Sequence, residues 1–449
     1  MSTEAFDVVV IGAGLLGCFT ARNLKRYNLS VAVLEKTDDV CLGMSKANTA
    51  VIYAGYDNRP GSMKAEMCVS GNAQFGKLCE ELDVQFSRCG SIMLAYGSEG
   101  EAALRRKLAH GTDNGVPGLE LVSAEKAKSL EPSVGDGVTL ALYAPSTGTV
   151  NPWELGIAAY ENAAGNGCEF FFGTGAVKID NGTVYTDTGR EIKAGMIVDC
   201  TGISSGRLSS SRYYSVEDGA DYLIVGRQSA GMPRMIVFEQ SEIKCRGLTA
   251  VPTVEGSLLL GPTHREPGEN CSTSRTGIEE IKETAAKVFP GLEMNIIRSF
   301  AGLRPNVETA DGEDVHDFVI EEADNIISLI GIKTPGLTCA DKLGQYVASL
   351  CAERLSATEN TDFNPVRKGI VRCRNLSDSE RNALIKDNPD YGEIVCLCEE
   401  ISRAEIIEAV RRGAKNADQI KRRCGAMMGF CQGTRCYQRI LDILEECNA

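Results

Sequence analysis

A single turn near the amino terminus restricts the fold more than any other stretch of the chain. The run Asp7-Val8-Val9-Val10-Ile11 is short, apolar and β-branched, and Gly12-Ala13-Gly14-Leu15-Leu16-Gly17 follows it without a break. A helical stretch then extends to about Tyr27, and Val31 to Glu35 form a second apolar strand. Glycines at this spacing between a strand and a helix have separate tasks. Gly12 makes a tight turn, Gly14 lets backbone approach a pyrophosphate, and Gly17, with Leu15 beside it, lets helix and strand pack closely. Phosphate would then meet unpaired N–H groups at the positive end of the helix dipole. Glu35, 18 positions past Gly17 and followed by Lys36, is where a carboxylate accepts hydrogen bonds from ribose hydroxyls. The segment predicts a Rossmann-like α/β domain that binds a dinucleotide, and the glycines alone do not separate FAD from NAD.

Composition narrows the class. A 449-residue chain with 43% hydrophobic residues can bury one large core or several smaller ones. Its 61 Asp and Glu exceed 47 Lys and Arg, and a net charge of -14 argues against nucleic acid or anionic lipid as a general partner. A local basic pocket for a small anion is still allowed. No run approaches the ~20 apolar residues of a membrane span, and the first strand leaves no room for a signal peptide. The expectation is a cytoplasmic protein that would reach a membrane only through a partner. Eighteen cysteines in such a chain read as reduced thiols, metal ligands or redox groups, and seven of them follow residue 372.

Apolar segments punctuated by Gly and Pro predict further strands near 90–96, 138–143, 196–200, 222–226, 257–261, 317–320 and 326–330, and a helix from Thr276 to Phe289 stopped by Pro290-Gly291. Residues 361–391, polar and containing Pro365 and Pro389, are expected as a linker. Beyond it, Ser402-Arg403-Ala404-Glu405 fits a capping box, and Tyr437 to Glu446 fits an amphipathic helix.

The segment from Ser45 through Asn48, Thr49 and Tyr53 to Tyr56, extended by Pro60-Gly61-Ser62-Met63-Lys64-Ala65, resembles the D-amino-acid-oxidase-like superfamily of FAD enzymes. It looks most like the branch of L-2-hydroxyglutarate oxidases and the large subunit of anaerobic glycerol-3-phosphate dehydrogenase. In that family this loop crosses the pyrophosphate and flavin. Ile197-Val198-Asp199-Cys200-Thr201-Gly202 resembles the strand-turn beside the adenosine half, and Gly331-Ile332-Lys333-Thr334-Pro335-Gly336-Leu337-Thr338 resembles the last flavin loop. The resemblance covers residues 5 to about 355 and implies bound FAD. It also implies a Rossmann-like domain from residues 1 to ~85, ~140 to 210 and ~300 to 360, with a β-rich substrate domain inserted at about 86–140 and 211–300.

On the substrate side, oxidising an alcohol or amine carbon sends a hydride to flavin while a base takes the remaining proton, and a charged anchor positions the substrate. Arg304, in Phe300-Ala301-Gly302-Leu303-Arg304-Pro305, matches the family segment that runs over the flavin, and its guanidinium suits a carboxylate or phosphate. Lys333 lies within the flavin loop, to stabilise reduced flavin or bind the same anion. Relatives commonly carry His where this chain has Tyr53, and an ordinary tyrosine, ionising near pH 10, is a poor base. His264, after an apolar strand, is a further candidate to face the pocket. Each of these four has a bland alternative: ion pair, solvated lysine, packing tyrosine, exposed histidine.

Cys396-Leu397-Cys398 and Cys431-Gln432-Gly433-Thr434-Arg435-Cys436 supply four thiols in two close pairs. Two sulfide-bridged irons need four thiolates, and a tetrathiolate zinc needs the same number. The string resembles the bacterioferritin-associated-ferredoxin-like 2Fe-2S domain, which implies that these four hold a cluster and leaves Cys424 as a buried thiol. A one-electron centre beside a two-electron flavin implies single-electron transfer to a protein acceptor, hence a dehydrogenase. The readings are an FAD and 2Fe-2S dehydrogenase of glycerol-3-phosphate or a 2-hydroxy acid, an amino- or imino-acid dehydrogenase, or an electron-transfer subunit of a larger complex.

Overall fold

The computed structural model of the chain describes residues 4–209, 211–240, 247–265 and 272–448, and divides into two compact units, 1–367 and 368–449. In the first unit the glycine turn joins the strand Glu4–Ile11 to the helix Leu15–Leu24, and Val31–Glu35 follows. Val8, Val9, Val10 and Val33 are fully buried, because both faces of these parallel strands are covered, which is why they read as unbroken apolar runs. They sit inside an eight-stranded sheet whose parallel part runs Glu169–Phe172, Val31–Glu35, Glu4–Ile11, Glu191–Asp199, Ile326–Ile330. The strand order reverses at the first strand, the place where open α/β sheets bind ligands.

A second, nine-stranded sheet forms the β-rich layer. Its two longest strands, Tyr213–Val225 and Ile296–Thr309, pair antiparallel along almost their whole length. Leu140–Ala144 and Ile296–Thr309 both belong to this sheet, whereas the sequence reading placed 140 and 300 at the start of dinucleotide-binding segments. The expected helix is found as Arg275–Val288, with the Ser274 hydroxyl accepting from Gly277 N–H.

The stretch expected as a linker is structured at both ends. Phe363 to Arg367 is clasped to the first unit. Arg22, fully buried, donates to Glu81 at 2.8 Å and to Pro365 O at 3.3 Å, while Arg26 lies 4.6 Å over the Phe363 ring. Asn162 and Asn166 both donate to Asn364 O, and Arg367 pairs with Glu161 at 2.7 Å. Asp378–Asp387 is a helix with a capping box of Ser377 and Glu380, and it belongs to the second unit. It buries no residue, so its sequence carries no apolar stripe to betray it.

The second unit packs the helices Arg403–Arg411, Ala417–Cys424 and Tyr437–Asn448 around Ile406, Ile420, Ile440 and Ile443, all fully buried. The expected capping box is present, with Ser402 Oγ accepting from Glu405 N–H while Ser402 N–H donates to Glu405 Oε2. Among the described residues no helix is long and apolar enough to cross a membrane.

Candidate active site

The carboxyl ends of the central parallel strands open onto a cavity of about 670 Å³. Gly12 has a φ of +100°, and a Cβ there would lie 2.7 Å from Cys200 O. At Gly17 a Cβ would lie 1.9 Å from Gly12 O, so this glycine braces the turn from behind and is not part of the wall. Gly14 and Leu15 face the cavity, and Leu15 N–H donates to Ser45 Oγ at 2.9 Å. Glu35 Oε2 accepts from Ala13 N–H at 2.7 Å and Oε1 from the Thr37 N–H and hydroxyl. Its carboxylate thus ties strand end to glycine turn, with Lys36 beside it on the wall. Thr201 and Gly202 complete this end. Burial pushes the Asp199 carboxyl up, and Thr201 N–H and Oγ1 and Gly206 N–H all donate to it, which holds the turn.

From Ser45, beside the glycine turn, the wall continues through Asn48, Thr49 and Tyr53. Asn48 braces its own loop, donating to Ser45 O and accepting from Ala50 N–H, each at 2.8 Å. A Cβ at Gly302 would lie 2.4 Å from Ala47 O, so the strand Ile296–Thr309 lies directly on this loop. Tyr53 stacks on Phe238 with ring centroids 6.0 Å apart, and its hydroxyl is 3.3 Å from Thr49 Oγ1. Gly336 and Leu337, at the start of the helix Gly336–Arg354, also line the cavity. Thr338 lies behind them, accepting from Tyr53 N–H at 3.0 Å, and Gly331, at φ +70°, makes the turn into this loop; neither is on the wall.

Arg304 and Lys333 both line the cavity. Arg304 donates to Asp218 Oδ2 at 3.2 Å and to Thr263 O at 3.3 Å, and Lys333 to Asn306 Oδ1. His264 does not line the cavity. It is exposed, with Nδ1 3.4 Å from Asp218 Oδ2, because the strand before it ends at Gly261 and the turn carries it outward. Sequence reasoning missed Asp218, which the ladder places directly opposite Arg304, and Asn306, two residues beyond Arg304 on the same strand face. The second was legible had Ile296–Thr309 been read as a strand; the first depended on long-range register. A glycine-made cradle at a helix amino terminus, with a carboxylate at one end and two cations at the other, fits FAD.

In the second unit the four expected thiols form two neighbouring pairs, Cys398 with Cys431 and Cys396 with Cys436. A Cβ at Gly429 would lie 2.4 Å from Cys398 Cβ, so glycine is what lets the two ligand segments meet. Burial pushes the Cys431 thiol up, yet backbone N–H groups of Arg435 and Gly433 and the Cys398 thiol outweigh it and hold the group below its ordinary value. Among the described residues no three His, Cys, Asp or Glu side chains converge on a point fit for one ion. Four neighbouring thiols suit a two-iron centre, with amides donating to sulfur. Cys424 is buried and donates to Ile420 O at 3.2 Å, with burial pushing its thiol to about 12. Cys398→Ser is therefore expected to lose the visible iron-sulfur absorbance and Cys424→Ser to keep it, with iron and sulfide analysis as the check.

Residues 7–350 match the family of FAD dependent oxidoreductases (DAO), and residues 394–446 match the BFD-like [2Fe-2S] binding domain. The chain belongs to the FAD-dependent oxidoreductase family and carries a BFD-like 2Fe-2S domain; FAD and a 2Fe-2S cluster are its cofactors. It is 36% identical over 457 residues, 98% of this chain and 94% of the other, to a glycerol 3-phosphate dehydrogenase of Caloramator mitchellensis. It is 25% identical to a mitochondrial L-2-hydroxyglutarate dehydrogenase of Pongo abelii, over 79% of this chain and 89% of that one. An L-alpha-glycerophosphate oxidase from Mycoplasma pneumoniae with FAD bound shares the fold with a TM-score of 0.74 at 23% identity, covering 81% of this chain and 99% of that one.

Proposed function

We propose that this protein oxidises glycerol-3-phosphate and passes the electrons through its second unit to a one-electron acceptor. The observation that carries the reading is the 36% identity to a glycerol 3-phosphate dehydrogenase, which runs through 98% of the chain and so includes the thiol-bearing unit. Two cations on one end of the cavity, Arg304 and Lys333, suit a dianionic phosphate. FAD, when bound, supplies the hydride acceptor, and the cluster supplies a one-electron relay.

Gly12, Gly14, Leu15 and Ser45 would hold the pyrophosphate, Glu35 the ribose, and the loop 331–338 the isoalloxazine. Arg304 binds the substrate phosphate with the N–H groups that Asp218 and Thr263 leave over, and Lys333 adds a second donor. Fixing the anion fixes the reacting carbon, which is how positioning lowers the barrier. The hydroxyl proton leaves to solvent, since His264 stands outside the cavity. Tyr222, which is buried and lines the cavity, narrows it around the carbon and excludes bulk water.

Lys333→Met is expected to raise KM for glycerol-3-phosphate roughly tenfold with little change in kcat, a loss of uniform binding. An unchanged KM with an altered flavin potential would assign the lysine to the flavin instead. The deciding experiment is anaerobic bleaching of the flavin by glycerol-3-phosphate, L-2-hydroxyglutarate and amino acids in turn. Bleaching by the phosphate alone supports the reading. Bleaching by 2-hydroxyglutarate or an amino acid in its place replaces the substrate, and no bleaching by any leaves a relay subunit.

A further inference from the structure

We propose that Thr249 binds the terminal hydroxyl left on the substrate once Arg304 and Lys333 hold its phosphate, which makes the site selective for a phosphorylated diol over a 2-hydroxy acid. The proposal rests on the reading of glycerol-3-phosphate as the substrate. Thr249 is 3% exposed and lines the cavity. Its hydroxyl makes no hydrogen bond among the described residues. Other hydroxyls nearby are engaged: Thr49 Oγ1 stands 3.3 Å from the Tyr53 hydroxyl, and Thr263 Oγ1 donates to Asp221 Oδ2 at 3.3 Å. A buried hydroxyl is seldom left unpaired in a folded protein, and one on the wall of a ligand cavity is satisfied by what enters it.

The ladder shows what stands around this hydroxyl. In the second sheet Thr249 lies directly opposite Phe238 on one side and Gly261 on the other, and residues opposite one another in an antiparallel pair share a face. Phe238 stacks on Tyr53, so Thr249 points, as Phe238 does, toward the loop that carries Tyr53. Gly261 brings no side chain. A Cβ there would lie 2.8 Å from Tyr222 Cδ1, so the Tyr222 ring fills that space and is the next group along the wall. Tyr222 in turn stacks on Phe300 with ring centroids 4.8 Å apart. Arg304 is on the same strand face as Phe300 and about 13 Å further along. Its guanidinium reaches back toward this row, since it donates to the carbonyl of Thr263, whose own N–H donates to Asp221 O beside Tyr222. The gap between guanidinium and Thr249 suits a three-carbon chain.

Charge then sorts the substrates. Among the side chains lining the cavity, Glu35, Lys36, Arg207, Arg304 and Lys333 are charged. Glu35 and Lys36 stand at the glycine turn and Arg207 follows the Thr201 turn, so Arg304 and Lys333 are left for the substrate, and the phosphate takes both. Phe238, Thr249, Tyr222 and Phe300 bring no charge. Glu239, next to Phe238, adds a carboxylate that accepts from Leu248 N–H at 3.2 Å. A hydroxymethyl end gains a hydrogen bond here, whereas the carboxylate of a 2-hydroxy acid would be buried among neutral side chains with an anion close by.

The test follows anaerobic bleaching of the flavin in the full-length holoprotein with probes that share the phosphate end and the matching configuration. They are glycerol-3-phosphate, its analogue with methyl in place of the terminal hydroxymethyl, and 3-phosphoglycerate, which has a carboxylate there. In the wild type the second-order rate of reduction should fall about a hundredfold from glycerol-3-phosphate to either of the others. Thr249→Val keeps the shape and removes the hydroxyl. It should slow glycerol-3-phosphate about tenfold and leave the methyl analogue unchanged, with flavin content and potential as in the wild type, and Thr249→Ser should restore most of the rate. Equal slowing of both phosphates by Thr249→Val, or a shifted flavin potential, would assign the hydroxyl to packing or to the flavin and overturns the proposal. Wild-type reduction by 3-phosphoglycerate or the methyl analogue as fast as by glycerol-3-phosphate overturns it too. If glycerol-3-phosphate fails to bleach the wild-type flavin at all, it is the substrate reading that has fallen, and that is seen before any variant is made.

Discussion

Replacing Gly17 by valine is expected to yield protein without flavin. The Cβ would sit 1.9 Å from the carbonyl oxygen of Gly12, a backbone atom held in turn by the strand it ends, so no side-chain movement relieves the clash. Either the helix Leu15–Leu24 lifts off the strand or the turn opens, and both destroy the cradle that meets the pyrophosphate. Overpacking of a core by one or two methyl groups costs about 1–3 kcal/mol, and here the intruding atoms strike main chain, so the upper end applies. The measurement is the flavin absorbance of purified protein beside its thermal unfolding. Flavin retained at wild-type level would remove the glycine turn from the cofactor site.

The second large effect is expected at Arg304. Truncation to alanine removes a charge-assisted donor to the substrate anion, worth about 2–4 kcal/mol, which is roughly a thirty- to several-hundred-fold fall in kcat/KM for glycerol-3-phosphate. It also leaves Asp218, a residue 5% exposed, facing the cavity side without its cation. FAD content should be unchanged, since no contact of Arg304 reaches the glycine turn. Asp218→Asn separates the two contributions: it keeps the shape, removes the acceptor charge, and should raise KM less than the arginine truncation. Equal kinetics for Arg304→Ala and wild type would return this arginine to a structural ion pair.

Local chemistry was the part of this molecule that its sequence made readable. The glycine turn and the Ser402 capping box are each set by residues within a few positions of one another and are found where spacing put them, whereas the thiols, spaced as Cys396 with Cys398 and Cys431 with Cys436, pair across the two segments. The strand Ile296–Thr309 was not readable, since Arg298, Arg304, Pro305 and Asn306 break the alternation a half-buried strand usually shows; Arg304 and Pro305 are there because this part of the strand lies on the flavin loop and lines the cavity. The opposition of Asp218 and Arg304 is a matter of register between strands some 80 residues apart, which no local pattern encodes. His264 was drawn toward the pocket by its position after an apolar strand, and the turn that follows Gly261 took it to the surface. The helix Asp378–Asp387 was hidden for the opposite reason, since it buries nothing and only Ser377 and Glu380 marked its start.

The clasp around Phe363 to Arg367 has a consequence for how the gene for such a chain can be divided. Arg22 is fully buried and draws its partners from Glu81, Asp341, Asn162 and the carbonyl of Pro365. A stop codon placed before residue 363 would take away the ring over Arg26 and the carbonyl on Arg22, and would strip Asn162 and Asn166 of their shared acceptor. A breakpoint just after Arg367 keeps every one of these contacts. Any recombination event that joins or separates an iron-sulfur module here must therefore carry the short clasp with the flavin-binding half, which makes 367, rather than the end of the last long helix at Arg354, the natural seam of the fusion.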